Sequence, residues 1–382
     1  MFDWWNKLRA ARAERKLLAW HAPGRPVWPM RDPAAFAREG YARNAIAYRC
    51  VRMIAEAAAS APLKVGPFEH PLSRLLARPN PEQTGVELLE TFFGHLQVAG
   101  NAYLEAAGIA GDAPSELYVL RPDRTSVIPG ADGWPVGWEH RVGANVRRFD
   151  RDPVSNDAPI LHLKLFNPTD DWYGLSPMEP AAFSIDTHNA GGAWNKALID
   201  NAARPSGALV FTGAAGADRL TEEQFHRLKQ ELEDMHVGAA NAGRPMLLEG
   251  GLEWRPMSLS PADMDFIDAR HAAAREIALA FGVPPMLLGI PGDNTYANYR
   301  EANLAFWRQT ALPLAMKAAR AIESWLGGRW PGAAAAVSVD VESVPALTVE
   351  REALWARLAG ADFLDASEKR RMAGIDGPER AQ

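Results

Sequence analysis

One cysteine, Cys50, stands in a chain of 382 residues. A lone thiol excludes an intrachain disulfide framework and any cysteine-rich zinc site. It falls inside a helical pattern, YARNAIAYRCVRMIAEAAAS, where it reads as a small core residue. No uninterrupted apolar run approaches 18 residues, so no membrane-spanning helix is expected. The N-terminus, MFDWWNKLRAARAERKLLAW, lacks an apolar core followed by a small-residue cleavage site. It does not read as a secretory signal, and the cytoplasm is the expected compartment. An excess of positive charge is missing too: 41 Lys and Arg stand against 47 Asp and Glu, a net charge of −6. A protein that gripped DNA along its whole surface would be basic. There is no G-x-x-x-x-G-K-[ST] phosphate loop, no G-x-S-x-G elbow and no H-E-x-x-H pair, and the nine histidines are scattered. No cofactor is implied.

With 47% hydrophobic and 23% charged residues the chain reads as soluble and globular, and it is too long for one ordinary core. Residues 1–31 form a basic arm with Trp4, Trp5, Trp20 and Trp28, suited to a membrane surface, to nucleic acid, or to packing on its own protein or a neighbour. From 41 to 166, helical patterns (41–60, 84–99) are mixed with strand-like APLKV, NAYLEAAG, LYVLRP, TSVIP, GWEHRV and ILHLKLF. The fold class is α+β with strands joined by turns. A helix rich in small residues is expected over 177–203 and a second over 261–281, and they enclose a compact insert, 206–260. In the insert the spacing predicts a charged helix opened by Thr221-x-x-Gln224 and a hairpin turning at Gly250-Gly251. The second helix starts on Ser260 and Pro261 and ends at Gly282, a plausible left-handed cap. A Gly/Pro/Asn/Asp loop, GIPGDNTYANYR, leads to a long helix over about 296–326 that should kink near Pro313. A strand-like AVSVDVESV and a charged helical region close the chain.

The stretch DDWYGLSPM, Asp170 to Met178, concentrates the candidate chemistry. Asp170 and Asp171 could hold a divalent metal or divide acid and base roles. No third ligand accompanies them locally, and Asp is a preferred turn residue, so a turn is the preferred reading. The remainder reads as a helix start. Gly174 permits a sharp bend, Ser176 caps, Pro177 suits the first helical position, and Glu179 completes a Ser-x-x-Glu capping box. The stretch is therefore a joint between a β-rich part and a helix. His162, in an apolar strand, reads as a structural histidine rather than a ligand. His188 and His271 lie on the two small-residue helices.

Four passages together resemble the portal proteins of long-tailed bacteriophages, a type also present in gene transfer agents. They are GNAYLEAAG with LYVLRPDRTSVIPG, FNPTDDWYGLSPMEPA, IALAFGVPPMLLG, and LAGADFLDASEKRRMAGIDG. They occur in the family's order over about 41–377. The last departs from the pattern, with Ala366-Ser367-Glu368 where the family usually has Asn-Glu.

The resemblance implies a portal fold. After an arm (1–36) come the first part of a wing (37–176), a stem helix (177–205), a small α/β clip (206–260) and a second stem helix (261–283). Tunnel loop, long kinked helix and second wing part follow (284–345), then a helical crown (346–382). It implies a ring of twelve copies at one capsid vertex of a virion or phage-like particle, assembled in the bacterial cytoplasm. It implies passage of double-stranded DNA without sequence preference, and as partners a terminase packaging motor, a head-tail adaptor and the major capsid protein. Gly292, Asp293, Asn294, Thr295 and Tyr296 would be the tunnel loop facing DNA. Asp263, Asp265 and Asp268 cluster at the start of the second stem helix, and we expect them to face the lumen. A net-negative chain suits a conduit that must release phosphates. Two other readings remain: a membrane-associated scaffold acting through the arm, and a metal-dependent hydrolase using Asp170 and Asp171.

Overall fold

A computed structural model describes residues 33–373 except 68, 109–112, 132, 201–206, 212–251 (apart from 222, 223, 226, 227 and 230), 257–265, 292–295 and 331–333. The chain divides into two compact units, one of 31–181 with 278–382 and one of 1–30 with 182–277.

The larger unit opens on a helical segment, Pro33–Ala35 running into a π-helical turn Phe36–Tyr41, before α1 (Ala45–Ser60). The Asn44 side chain caps α1, accepting from the N–H groups of Ile46 and Ala47 at 3.0 Å each. Ala47, Cys50, Val51, Ile54, Ala55 and Ala58 recur at helical spacing and are buried. Cys50 is a core residue, 0% exposed, and burial pushes its thiol up to about 12. Beyond β1 (Leu63–Gly66) and the short α2 (Pro71–Ala77) comes α3 (Gly85–Ala99), which packs on α1. Thr84 and Glu87 close its start as a capping box, and Gly100, at φ 71°, ends it in the left-handed region.

That turn feeds β2 (Asn101–Ala107), the central strand of an antiparallel sheet in the order β3-β2-β7, with β3 (Glu116–Leu120) and β7 (Ile160–Lys164). The connection between β3 and β7 forms a second antiparallel sheet from β4 (Thr125–Pro129), β5 (Pro135–Val142) and β6 (Asn145–Asp150). Its register sets Val127, Trp138 and Phe149 side by side. These join Tyr103, Leu120 and Ile160 in one core cluster, so the two sheets share a hydrophobic interior.

The chain leaves this unit on α4 (Met178–Asp200) and returns on α5 (Phe266–Phe281). Between them, in the smaller unit, β8 (Gly207–Phe211) pairs antiparallel with β9 (Leu252–Pro256). The expected capping box at Thr221 and the other arm of the expected Gly250 hairpin lie outside the described residues. In this unit the Ser184 hydroxyl on α4 donates to Glu276 on α5. A Cβ at Gly191 would sit 3.0 Å from the Arg270 side chain, so a larger residue there would press on that stem. Burial, then Arg270, holds His188 below the usual histidine range.

Gly282 ends α5 at φ 66°. Its N–H reaches the Leu279 carbonyl (3.0 Å) and the Val283 N–H the Ala278 carbonyl (2.9 Å), the paired bonds of a Schellman cap. The helix expected over 296–326 is two, α6 (Tyr296–Phe306) and α7 (Leu312–Leu326), joined by a π-helical turn, Trp307–Ala311. The irregularity thus precedes Pro313, which occupies the first turn of α7, where no N–H is needed. Strand β10 (Ala336–Val339) pairs antiparallel with β1, Leu63 opposite Val339, tying the late chain to the early chain. The C-terminal helices are α8 (Thr348–Ala359) and α9 (Ala366–Met372), the second started by an Asp365–Glu368 capping box.

Candidate functional site

The stretch from Asp170 to Met178 is held from four sides. Asp170 makes a turn: its carboxylate accepts the N–H groups of Trp172 (2.8 Å) and Tyr173 (3.0 Å). Asp171 is exposed, and its backbone carbonyl takes the Lys164 ammonium. Among the described residues no three His, Cys, Asp or Glu side chains gather as a metal site would require. The two aromatics pin the turn to the second sheet. The Trp172 indole N–H donates to the Gly133 carbonyl (2.9 Å), and the Tyr173 hydroxyl accepts the Val127 N–H of β4 (2.8 Å).

Gly174 then crosses the first residues of β2 at a distance only glycine allows. A Cβ there would lie 2.6 Å from the Leu165 nitrogen and closer still to the Gly100 carbonyl oxygen. Asn101 clamps the crossing: its Oδ1 accepts the Gly174 N–H (2.8 Å), and its Nδ2 donates to the carbonyls of Ala99 (2.8 Å) and Gly174 (3.3 Å). The same Oδ1 meets His162 Nε2 at 2.9 Å, so that nitrogen carries the proton and the ring is the neutral Nε2–H tautomer. His162 also stacks on Tyr103, centroids 4.3 Å apart. Burial, with a smaller push from Lys164, lowers its pKa to about 3.

Ser176 performs two tasks. Its oxygen accepts the Met178 N–H (3.0 Å), and its hydroxyl reaches the carbonyls of Gln97 and Val98 at the end of α3 (2.8 Å each). Ser176 therefore caps α4 and ties its first turn to α3. The bond goes to the N–H two residues on; the Glu179 N–H uses the Ser176 carbonyl instead (3.0 Å), unlike the expected box. The described helix begins at Met178, one residue after Pro177. Ser176→Ala should destabilise the protein by roughly 1–2 kcal/mol, read from urea melts; unchanged stability would contradict the capping role.

A pH dependence follows. The folded-state pKa of His162 lies below its unfolded value, as does that of His95, lowered to about 4 chiefly by burial. Below pH 6.5 the unfolded chain takes protons that the folded chain refuses. Stability is thus full above about pH 6.5 and falls on acidification by up to ~1.4 kcal/mol per pH unit for each histidine. Melts at pH 7.0 and 5.5 should show a shallower loss for His162→Gln than for the natural chain; equal losses would assign the effect elsewhere.

The other expected site residues are distributed differently. Gly292, Asp293, Asn294 and Thr295 lie outside the described residues, and Tyr296 opens α6. The segment before them is built firmly, a 3₁₀ turn Pro285–Leu288 ended by Gly289 at φ 72°, with Ile290 buried. Asp263 and Asp265 also lie outside, and Asp268 is exposed in the first turn of α5. Of the arm expected over 1–36, residues 1–32 are likewise outside, and 33–36 belong to the opening helical segment.

With this geometry in hand, the kinship of the chain is clear. The profile of the phage portal protein family matches residues 45–374. A chain in the neck of a native gene transfer agent particle, computed with C12 symmetry, is 53% identical, covering 92% of this chain and 96% of that one with a TM-score of 0.71. A chain of the virion of the native gene transfer agent particle is 54% identical, covering 93% and 96%, again with a TM-score of 0.71. The portal protein of Enterobacteria phage HK97 is 26% identical over 359 residues, 85% of this chain and 77% of that protein. This chain belongs to the phage portal protein family.

Proposed function

We propose that twelve copies of this chain form a ring at one vertex of a virus-like particle, the conduit through which DNA is packaged and released. The observation that carries this is the 53% identity, over nearly the full length of both chains, to a subunit of a particle neck computed with C12 symmetry. The larger unit supplies the wing, with the crown at 346–382. Helices α4 and α5 form the stem, and 206–260 the clip. The stretch Asp170–Met178 is the joint between wing and stem. Support comes from the division of the chain at 181/182 and 277/278, inside α4 and α5.

The ring performs no catalysis of its own and depends on a separate ATP-driven motor docking on it, with a head-tail adaptor and the major capsid protein as further partners. The engagement of Asp170 in a turn favours this over a metal-dependent hydrolase. An Asp171→Asn variant should package DNA normally.

Residues 292–296 project towards the DNA, and Asp263, Asp265 and Asp268 face the lumen, where negative charge lowers salt-dependent grip on phosphates. Deleting 292–295, which spares the buried Ile290, should leave rings assembled while DNA packaging or retention falls; loss of the ring would make the loop structural. Neutralising the three aspartates should make DNA retention more salt-sensitive, and an unchanged salt profile would remove them from the lumen.

A further inference from the structure

The larger unit contains a cavity of about 1390 Å³. Small-molecule pockets span roughly 300–1,000 Å³, so this one suits a stretch of polypeptide better than a metabolite. Four indoles line it, Trp134, Trp138, Trp172 and Trp325, together with Arg151 and Lys164. Asp157 and Asp171 line it too, so it is not a general anion trap.

Trp134 is 74% exposed, an indole left largely in water. Trp138 is only 2% exposed, yet its indole N–H has no acceptor among the described residues, and the same holds for Arg151 Nε. Buried donors without acceptors are rare. The Arg151 guanidinium lies over the Trp138 ring, 5.2 Å from its centroid, with Nη1 donating to Asn156 at 3.0 Å. Both orphan nitrogens are shielded in the single subunit. An entering acceptor must therefore shift neighbouring side chains to reach them. Aromatic walls, a cation and two unused donors suit an aromatic side chain beside a carboxylate.

The chain itself carries such a segment. Phe363, in the turn between α8 and α9, is 85% exposed, the most exposed aromatic among the described residues. It stands between Asp362 and Asp365. Phe166, at 83%, is the nearest rival, but its neighbours Leu165 and Asn167 carry no charge.

We propose that this cavity is a socket for the adjacent subunit of the ring, filled by that subunit's Asp362–Asp365 segment, with Phe363 among the indoles and Asp362 accepting from Trp138 and Arg151. This rests on the ring reading above. The socket is incomplete in one subunit, so each copy supplies both a plug and a hole.

The test replaces Trp134 by photoreactive p-benzoylphenylalanine, mixes light and ¹⁵N-labelled chains into rings, and maps the adducts by mass spectrometry after illumination. Adducts between a light and a heavy chain, landing within 361–365, are expected. Rings whose adducts lie within one chain, land on another segment of the neighbour, or do not form would overturn the socket while leaving the ring intact. Failure of the natural chain to form rings would overturn both. Independently, Trp138→Phe and Phe363→Ala should each raise the concentration at which half the chains are in rings by roughly tenfold, with monomer melting unchanged for Phe363→Ala. The double variant should be no worse than the weaker single one; multiplied effects would contradict the proposal.

Discussion

Gly174→Ala is expected to destabilise the larger unit by about 3 kcal/mol or more, enough to leave little folded protein at 37 °C. The added methyl group meets backbone, not a flexible side-chain end: the Leu165 nitrogen at 2.6 Å, and the Gly100 carbonyl nearer still. Gly100 mirrors the constraint, since a Cβ there would lie 2.7 Å from backbone carbons of Gly174 and Leu175, and its φ is 71°. Two backbone segments cross in contact, so neither can yield without moving the end of α3 or the start of α4. Gly192→Ala is the control. It lies in α4 with nothing within 4 Å of the added methyl, and should be neutral or stabilising by up to ~1 kcal/mol. Equal tolerance of both changes in urea melts would show that the crossing is not tight.

Asn101→Leu should cost about 3–4 kcal/mol with little change in volume. The side chain is buried and supplies both ends of the clamp. Its loss strands the Gly174 N–H and the His162 Nε2–H, and each buried polar group left unpaired costs ~1–3 kcal/mol. Asn101→Asp is the informative companion. It keeps the acceptor for both donors but forfeits the bonds to the Ala99 and Gly174 carbonyls, so its loss should be smaller at neutral pH. A carboxylate beside His162 should also raise that histidine's pKa, visible by NMR titration. If the aspartate variant were as damaged as the leucine variant, acceptance of the Gly174 N–H would not be the dominant contribution.

What could be read from the chain in advance follows the range of the interactions. Ser176 as a cap, Asp170 as a turn former and Gly282 as a left-handed helix end depend on neighbours within a few residues, and all three are present in the fold. Asn101 was not legible as a clamp, because its partner Gly174 is 73 residues away and only the fold brings them together. The two-residue rather than three-residue reach of Ser176 escaped for a related reason: its hydroxyl also serves the carbonyls of Gln97 and Val98, nearly eighty residues away. Pro313 marked a disturbed helix correctly, yet the disturbance takes the form of a π-helical turn before it. His162 was read as structural from its apolar strand, while its tautomer required knowledge of Asn101. The indole-lined cavity left no local signature, since its walls come from β5, the 151–164 segment, the joint and α7.

The most direct measurement of the central claim combines mass photometry with negative-stain imaging of the purified full chain. Particles at twelve times the 41.7 kDa chain mass, seen end-on as rings with a central hole, are expected. Compact particles at the mass of a single chain, under conditions where the protein is folded, would contradict that claim.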